Sequence, residues 1–494
     1  MYTISATREN DGIVHVGRGI IYVQKNEKGY NKDIKQIKEE ITMKKRRKLL
    51  GALLCTVLSV SMLAGCGSTE AGDPPAGEES DSNTNSDQEQ VQKPEEDIRT
   101  ISLLAYSDME LPGLEAVCEL AEEKLGIHVD IEIVSANDEI VQVRAAAGEL
   151  NDVVLMNSGA VLSTVHPEEY FMPLNDEAEI MEKLDENYIQ SVTLDGVTYG
   201  IPQASSQAGC VLYNKEIYEK YQLEVPKTWD EFVNNCKVLE ENGETPLIGA
   251  FGDAWTSQVL MLGDFYNLNA ADPNFVENYS AGKAKYAEND SALKSFAKYE
   301  DVLDFYNEDY LSTTYDDGCQ KLADGEGAHW IMLTQVLGNI YSLYGEEVTN
   351  KIGAFAIPSD DANVNGLTVW MPNSVYGNKQ SENADAVLEF MKFYLSDEAL
   401  NAFTAAQPPV GPYCVKGYEI PDDAYEAVRV DMQSYFDQGT ICSAMEFMTS
   451  VKGNNAEKIC QEVASGLTTG AEAAEKYDED SYKCAIQLGL DWER

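Results

Sequence analysis

The stretch that decides the fold is residues 98–156, IRTISLLAYSDMELPGLEAVCELAEEKLGIHVDIEIVSANDEIVQVRAAAGELNDVVLM. Its apolar residues change from the period of a strand to that of a helix and back again. The pattern predicts strands at 98–105, 128–134 and 152–156, with helices at 110–125 and 138–150 between them. This order is typical of a parallel sheet with crossover helices, so we expect an α/β fold.

Polar side chains follow each of the three predicted strands. In parallel α/β sheets, ligands bind beyond the carboxyl ends of the strands. The loops at these ends therefore provide the first candidate ligand-binding residues: Asp108, Asn137, Asp138, Asn157 and Ser158. Asp and Asn are also frequent in loops because their side chains stabilise turns, so a purely structural role remains the alternative at each position.

The rest of the chain carries further helix and strand patterns. Thr228 is predicted to cap a helix that ends at Asn242, with Glu231 completing a capping box. Other helices are predicted at 254–266, 290–307, 335–344, 385–395 and 397–406, strands at 327–333 and 352–357, and a mostly helical tail from Ala424. From Ile98 onward roughly 400 residues remain, which exceeds one ordinary core, so two domains are expected.

The chain is strongly acidic. It has 85 Asp and Glu against 36 Lys and Arg, a formal net charge of −49. Nucleic acid and anionic lipid head groups repel such a polyanion, so no nucleic-acid partner is expected. The charge favours solubility and says little about the fold.

The segment Met43–Cys66 has the three parts of a secretory signal: a cationic start, an apolar run from Leu49 to Leu63, and small residues before a cut site. The run is shorter than the roughly 20 residues of a spanning helix. Its end, Leu63-Ala64-Gly65-Cys66, resembles the lipobox of bacterial lipoproteins, which implies a lipid on Cys66 and a place outside the cytoplasm. A plain signal peptide and a signal anchor are the alternatives.

The residues on either side of this signal are not expected to belong to the folded part. Because export signals stand at the amino terminus, we interpret residues 1–42 as translated leader and 43–65 as signal peptide. Residues 66–97 are acidic and almost free of large apolar side chains, so we expect a disordered tether.

The chain has ten Cys and four His. Cys55 lies in the signal and Cys66 in the lipobox, and the other eight permit either disulfides or free thiols. No Cys-x-x-Cys occurs and the His residues form no cluster. We therefore expect no metal site and no cofactor.

Several short motifs follow one another along the chain, each occurring once. They are YGIP at 199–202, VLYNK at 211–215, PKTWDEF at 226–232, LADGEGA at 322–328, IGAFAIP at 352–358, and AVLEFMKF at 386–393 followed by SDEA at 396–399. Over roughly residues 98–410 the chain resembles the extracellular solute-binding proteins of ABC importers. Within them it is most similar to the sugar-binding family related to maltose-binding protein.

The resemblance implies a type II fold of two α/β lobes with the ligand in the cleft between them. Lobe one would be 98–206 with 371–418, and lobe two 207–370 with 419–494. The chain would cross between the lobes near 205–211, 370–374 and Tyr418. A monomer anchored outside the cell would capture a carbohydrate, in the first instance an oligosaccharide, by hinge closure and deliver it to a membrane permease.

Sugar sites combine aromatic rings, which pack on the apolar face of a pyranose, with polar side chains for its hydroxyls. Of the five Trp, we assign Trp229 to the core and Trp492 to the tail, which leaves Trp255, Trp330 and Trp370 as candidates for ligand or core. The resemblance adds Gln207, at the first crossing. It also adds Gln335, which stands where many relatives carry an aromatic residue, and this departure leaves the sugar class open.

Two other functions are weighed against sugar capture. The same fold could bind a peptide, a polyamine or another small solute, or serve as a sensor subunit, since an acid-lined aromatic pocket also suits a cation. A secreted glycosidase is the remote alternative. No Gly-x-Ser-x-Gly, His-Glu-x-x-His or other nucleophile signature is present, so we do not expect an enzyme.

Overall fold

The computed structural model describes residues 98–492, except 107–108, 110, 136–138 and 423, together with three strands near the amino terminus. Those strands, β1 (Ile4–Ala6), β2 (Asp11–Val16) and β3 (Gly19–Gln24), form a small antiparallel sheet in the unit Met1–Gln92. The expected signal peptide, the lipobox with Cys66 and the tether lie outside the described residues, as does the leader apart from these strands.

The unit Lys93–Arg494 contains two five-stranded sheets and a short hairpin. Its strands are β4 (Arg99–Tyr106), β5 (Ile127–Val134), β6 (Val153–Met156), β7 (Thr193–Leu194), β8 (Val197–Thr198), β9 (Gly200–Pro202), β10 (Gln207–Asn214), β11 (His329–Leu333), β12 (Ile352–Phe355), β13 (Leu367–Trp370), β14 (Ser374–Gly377) and β15 (Ile441–Ser443).

Helices surround both sheets. The α-helices are α1 (Leu111–Leu125), α2 (Glu139–Ala147), α3 (Pro167–Tyr170), α4 (Ala178–Met181), α5 (Glu186–Ser191), α6 (Lys215–Tyr221), α7 (Trp229–Glu241), α8 (Val259–Gly263), α9 (Phe265–Ala271), α10 (Phe275–Ser280), α11 (Asp290–Val302), α12 (Tyr315–Asp324), α13 (Gln335–Tyr344), α14 (Glu346–Thr349), α15 (Ala384–Tyr394), α16 (Asp397–Ala406), α17 (Gln433–Asp437), α18 (Ala456–Ala464) and α19 (Gly470–Gln487). Short 3₁₀ turns lie at Gly159–Val165, Ala254–Gln258, Leu303–Phe305 and Met445–Phe447, and a π-helix at Ala427–Met432.

The first sheet has the order β5-β4-β6-β14-β9, and we call the part of the chain around it lobe one. Strands β4, β5 and β6 run parallel and β14 runs antiparallel to β6. Every residue of β6 is buried, as expected of a parallel strand covered on both faces. The strands and helices that the opening stretch predicts are therefore all present, with ends shifted by at most three residues.

The second sheet, at the centre of lobe two, has β10 as its middle strand. Strand β10 pairs antiparallel with β11, β12 and β13, and β15 joins β13 in parallel. The tail from Ala424 is mostly helical, as expected, but three of its residues form β15, which the sequence analysis did not predict. So short a strand has no periodicity of its own and depends on its partner for hydrogen bonds.

Local signals in lobe two act as the sequence indicates. Thr228 and Glu231 form the predicted capping box at the start of α7. Trp229 is 4% exposed and its indole N–H donates to Asp301 at 2.9 Å, which places it in the core as predicted. Asn214 ends β10 and caps α6, where its side chain accepts from the Ile217 N–H at 3.1 Å.

The eight Cys of the described residues are all free, and seven of them are buried. Burial raises the pKa of the seven buried thiols, for example to about 12 at Cys118 and Cys460 and to about 11 at Cys319. Such thiols stay protonated and poorly reactive. Among the helices of the described residues, none is both long and apolar enough to cross a membrane.

Candidate functional site

One edge of the first sheet is the natural place for a ligand. Strands β4, β5 and β6 are parallel, so their carboxyl ends meet at one edge of the sheet. Met156 at the end of β6 pairs with Ser374, which in turn pairs with Pro202 of β9. The loops that follow β4, β5 and β6 therefore open at the same edge, where the chain also leaves for lobe two.

The second sheet presents a matching edge. Gln207 begins β10 and pairs with Trp370, the last residue of β13, and Ser443 ends β15 on the same side because β13 and β15 are parallel. Only residues 203–206 link β9 to β10, and only 371–373 link β13 to β14. Since a residue spans at most about 3.6 Å of chain, these short links hold the two sheet edges close together.

Three of the sequence-predicted site residues, Asp108, Asn137 and Asp138, lie outside the described residues. Asn157 and Ser158 directly follow β6 at the facing edge. The main-chain carbonyl of Asn157 accepts from the Tyr376 hydroxyl at 3.3 Å. Ser158 is 4% exposed and its hydroxyl donates to the Pro372 carbonyl at 3.2 Å, so it ties lobe one to the second link.

Trp370 is held in a fixed position at the second sheet's edge. Its indole N–H donates to the Glu446 carboxylate at 2.9 Å, and Glu446 also forms an ion pair with Lys452. Its ring covers Gly209, where an added Cβ would lie 2.7 Å from a ring carbon. Trp370 is half-buried, and so is its partner Gln207. A planar amide and an indole therefore stand side by side where the chain passes between the lobes.

The other two candidate tryptophans belong to one aromatic cluster. The Tyr315 ring lies between Trp255, with ring centroids 5.3 Å apart, and Trp330, with centroids 5.6 Å apart. Trp330 is 1% exposed inside β11, so it packs in the core, whereas Trp255 is half-buried at the outer end of the cluster. Trp255 is therefore partly accessible from the surface, and Trp330 is not.

Tyr315 is a polar part of this cluster that the sequence reasoning missed. Its hydroxyl accepts from Asn339 at 2.7 Å and also hydrogen-bonds Gln335 at the start of α13. Burial raises the pKa of Tyr315 above its ordinary value. One signal in the sequence could have located it. Thr314 and Asp317 form a capping box at the start of α12, and Tyr315 is the first residue after the cap.

A cavity of about 540 Å³ lies beside these edges, between the lobes. Lobe one contributes the turn after β6, the end of α5 and β7, and lobe two contributes the end of β15 and the turn that follows it. Its lining residues are Gly159, Ala160, Leu162, Ser163, Gln190, Ser191, Thr193, Leu194, Ser280, Ser443, Phe447, Met448, Thr449, Ser450, Val451 and Leu490. None of these residues is a sequence-predicted site residue. The segment 441–451 was taken as helical tail, and on the lobe-one side the candidates stopped at Asn157 and Ser158.

The site offers hydrogen-bonding groups and aromatic rings. Within the part of the chain that the structure describes, no three His, Cys, Asp or Glu side chains form a metal ligand set. Besides the Glu446–Lys452 ion pair, the groups at the sheet edges are amides, hydroxyls and aromatic rings, which bind polar solutes by hydrogen bonds and stacking.

These features define a two-lobed α/β protein with a ligand site between its lobes. The chain belongs to the bacterial extracellular solute-binding protein family, whose sequence profile matches residues 110–400. Such proteins serve ABC importers outside the cytoplasm.

Individual relatives are distant. An uncharacterised ABC transporter extracellular-binding protein of Pyrococcus horikoshii is 23% identical over 295 residues, which are 59% of this chain and 64% of that protein, so slightly less than two thirds of its length is matched. The multiple sugar-binding protein of Streptococcus mutans is 20% identical over 318 residues, 63% of this chain and 73% of that protein.

Among solved structures, RafE from Streptococcus pneumoniae superposes with a TM-score of 0.67 at 18% identity, covering 78% of this chain and 97% of RafE. A structure of RafE in complex with raffinose gives a TM-score of 0.62. At this identity the likeness establishes the fold alone.

Proposed function

We propose that this protein captures a carbohydrate, in the first instance an oligosaccharide, between its two lobes and delivers it to a membrane permease. The observation that carries the proposal is the pairing of Gln207 with Trp370 at the point where both sheets meet. Trp370 offers an aromatic face for the C–H side of a sugar ring, and Gln207 offers an amide that both donates and accepts for its hydroxyls.

Further residues extend this binding surface along the sheet edges. We propose Trp255 as a second stacking platform, with Gln335 beside it, and Asn157 and Ser158 on the lobe-one side. Asp108, Asn137 and Asp138 keep their assignment as ligand residues on the loops after β4 and β5. Trp330 is the weakest of the candidates, because it is buried in β11. We propose that it supports the ring of Tyr315 and does not contact the ligand.

Hinge closure follows from the short links between the sheets. A ligand that contacts both edges binds the closed form more tightly than the open form. The difference between these two binding free energies is the amount by which the ligand stabilises closure. The links at 203–206 and 371–373 are joined by a third segment, where isolated bridges pair Ser205 with Tyr413 and Leu184 with Val415. Rotation about these links would bring ligand-contacting groups of both lobes together.

The names of related proteins support the carbohydrate class. One relative is a multiple sugar-binding protein, and a structural neighbour holds raffinose. We further propose that the protein is a monomer held at the outer face of the cell membrane by lipid on Cys66, with residues 66–97 as tether. A peptide, a polyamine or a sensor role is the second candidate, and a glycosidase the remote one.

A ligand screen of the full-length protein tests the class of ligand. Ligands that bind only the folded state raise the melting temperature by mass action. We expect neutral oligosaccharides to raise it, and spermidine and short peptides to leave it unchanged. A shift with spermidine or a peptide and none with any sugar would overturn the carbohydrate assignment.

A further inference from the structure

The cavity beside Gly159 and Phe447 has an uncharged lining in a strongly acidic chain. Asp, Glu, Lys and Arg make up 24% of the chain, yet none of them is among the described residues that line this cavity. Of the carboxylates adjacent in sequence to the lining, Glu446 is already engaged by the Trp370 indole and by Lys452. The others, Asp195 and Asp491, each follow a lining residue and are exposed. A cation entering the cavity would lose its hydration without gaining a counter-charge, so the lining favours a neutral occupant.

The hydroxyl groups of the lining face the cavity mainly as acceptors. A Ser or Thr hydroxyl has one proton to donate and two lone pairs. Ser191 donates its proton to the Tyr188 carbonyl at 2.7 Å and Ser163 to the Ala160 carbonyl at 2.9 Å. The Ser280 proton lies within reach of the Val276 carbonyl at 2.7 Å and of the Thr449 hydroxyl at 2.8 Å. The lone pairs that remain can accept from an occupant rich in O–H groups.

The apolar part of the lining suits the other face of such an occupant. Phe447 is half-buried, and Met448 and Leu490 form an exposed lip, with 44% and 39% of their surface accessible. A ring that has C–H groups on one face and hydroxyls at its rim can use both kinds of lining at once. That combination is the chemistry of an uncharged sugar unit. At about 540 Å³ the cavity also falls within the range of about 300–1,000 Å³ that small-molecule sites occupy.

The segments that line the cavity include or closely follow the strand ends at both sheet edges. Gly159 follows β6 by three residues, and Ser443 is the last residue of β15. An occupant of the cavity would therefore lie next to a ligand bound along those edges, and it would contact both lobes. A chain of sugar units is long enough to reach from one to the other.

We infer that this cavity is a terminal subsite, which receives the end unit of an uncharged oligosaccharide whose other units lie along the sheet edges. The inference rests on the proposed carbohydrate-binding function and adds a determinant of ligand length to it. Gln190 and Ser450, which are both exposed, are the residues at which this subsite can be altered with the least effect on folding.

The test measures affinity against chain length in the full-length protein by isothermal titration calorimetry. The probes are the one- to five-unit members of the malto-, cello- and xylo-oligosaccharide series, raffinose and stachyose, and sorbitol as a free polyol. The variant Ser450→Phe narrows the cavity, and Gln190→Leu removes its amide. Ser342→Phe, the same change at an exposed serine of α13 that does not line the cavity, is the matched control.

We expect affinity to rise with length in one series and Ser450→Phe to abolish the gain from the longest members, while the shortest member binds as before. Gln190→Leu should weaken the longest members roughly 3- to 10-fold, the range of one neutral hydrogen bond. Ser342→Phe should bind like the unaltered protein.

Two results would overturn the subsite while leaving the proposed function intact. One is a length dependence that both cavity variants leave unchanged. The other is that sorbitol binds the cavity while sugars of every length bind equally. If the unaltered protein binds no sugar at all but binds spermidine or a peptide, the proposed function itself fails and the subsite fails with it.

Discussion

Gly159 of lobe one lies directly against Phe447 of lobe two. A Cβ built on Gly159 would be 2.6 Å from the Phe447 Cα, closer than real Cβ atoms approach other atoms. Gly159 also has φ of +80°, which a side chain disfavours. The two lobes therefore meet at a point where only glycine fits.

The first prediction concerns this contact. Gly159→Ala should hinder closure, because its methyl group would meet the Cα and the side chain of Phe447 in the other lobe. Ligand affinity should fall at least about tenfold, which corresponds to about 1.4 kcal/mol of binding free energy. Small-angle scattering in the presence of ligand should give a larger radius of gyration than for the unaltered protein.

A matched control separates the contact from backbone strain. Gly196 also has φ of +80°, but an added Cβ there would have no atom within 4 Å. Gly196→Ala should lower stability through the backbone alone and leave ligand affinity unchanged. Equal affinity losses in the two variants would contradict the role given to the Gly159 contact.

The second prediction concerns Gln207 and Trp370. If both contact the same sugar, Trp370→Ala should weaken binding by about tenfold or more, and Gln207→Ala by roughly 3- to 10-fold. Calorimetric titration of both single variants and of the double variant gives their coupling. Trp370→Phe keeps a ring but loses the hydrogen bond to Glu446, so it should bind better than Trp370→Ala. Unchanged affinity in both alanine variants would remove these residues from the site.

The third prediction contrasts two tryptophans of one cluster. Trp330 is 1% exposed, so Trp330→Ala should lower the free energy of unfolding by about 3–5 kcal/mol. Trp255→Ala should cost clearly less stability, because Trp255 is only half-buried, and should instead lower ligand affinity. Urea denaturation measures the first effect and titration the second. A Trp255→Ala protein with unchanged affinity and a large loss of stability would assign Trp255 to the core.

The fourth prediction concerns Asp478 in α19, which accepts from the main-chain N–H groups of Tyr286 and Ala287 at 2.8 and 2.9 Å. Burial raises the pKa of Asp478 to about 6, so the folded protein takes up a proton at a higher pH than the unfolded chain does. Between about pH 6 and 4 the folded state binds more protons through this group. Its contribution to stability therefore increases as the pH falls.

Asp478→Asn isolates this effect. The stability of the unaltered protein relative to Asp478→Asn should increase by at most about 3 kcal/mol between pH 7 and pH 4, measured by urea denaturation. His329 acts in the opposite direction, because burial lowers its pKa to about 4 and the unfolded chain then binds the extra proton. His329 is present in both proteins, so its effect cancels in the comparison. A difference independent of pH would contradict the raised pKa.

The fifth prediction concerns the proposed lipid anchor. Cys66→Ser should release the protein from the membrane fraction and prevent incorporation of labelled palmitate, because the thiol is the attachment point. Ligand affinity should be unaffected. Membrane association that persists in Cys66→Ser without label would favour a signal anchor.

Much of the architecture was predictable from the sequence, because local residue patterns determine where its strands and helices form. The change between strand and helix periods in residues 98–156 predicted each strand and helix of the first sheet's opening half. Helices α13 and α16 begin and end at the predicted residues, and the capping box at Thr228 is confirmed. The order of short motifs also predicted the family, since each motif marks a local turn, cap or buried strand whose residues depend on near neighbours.

Only the tertiary structure decided which of these residues lie at the site. The sequence alone does not distinguish Trp255 from Trp330. Their different burial depends on packing against Tyr315 and on strand pairing between distant segments. The three residues of β15 become a strand only by bonding to β13, and this pairing brings Phe447 against Gly159. Contacts between segments hundreds of residues apart leave no periodic trace in either segment, so the cavity and its uncharged lining emerge only when the two lobes come together.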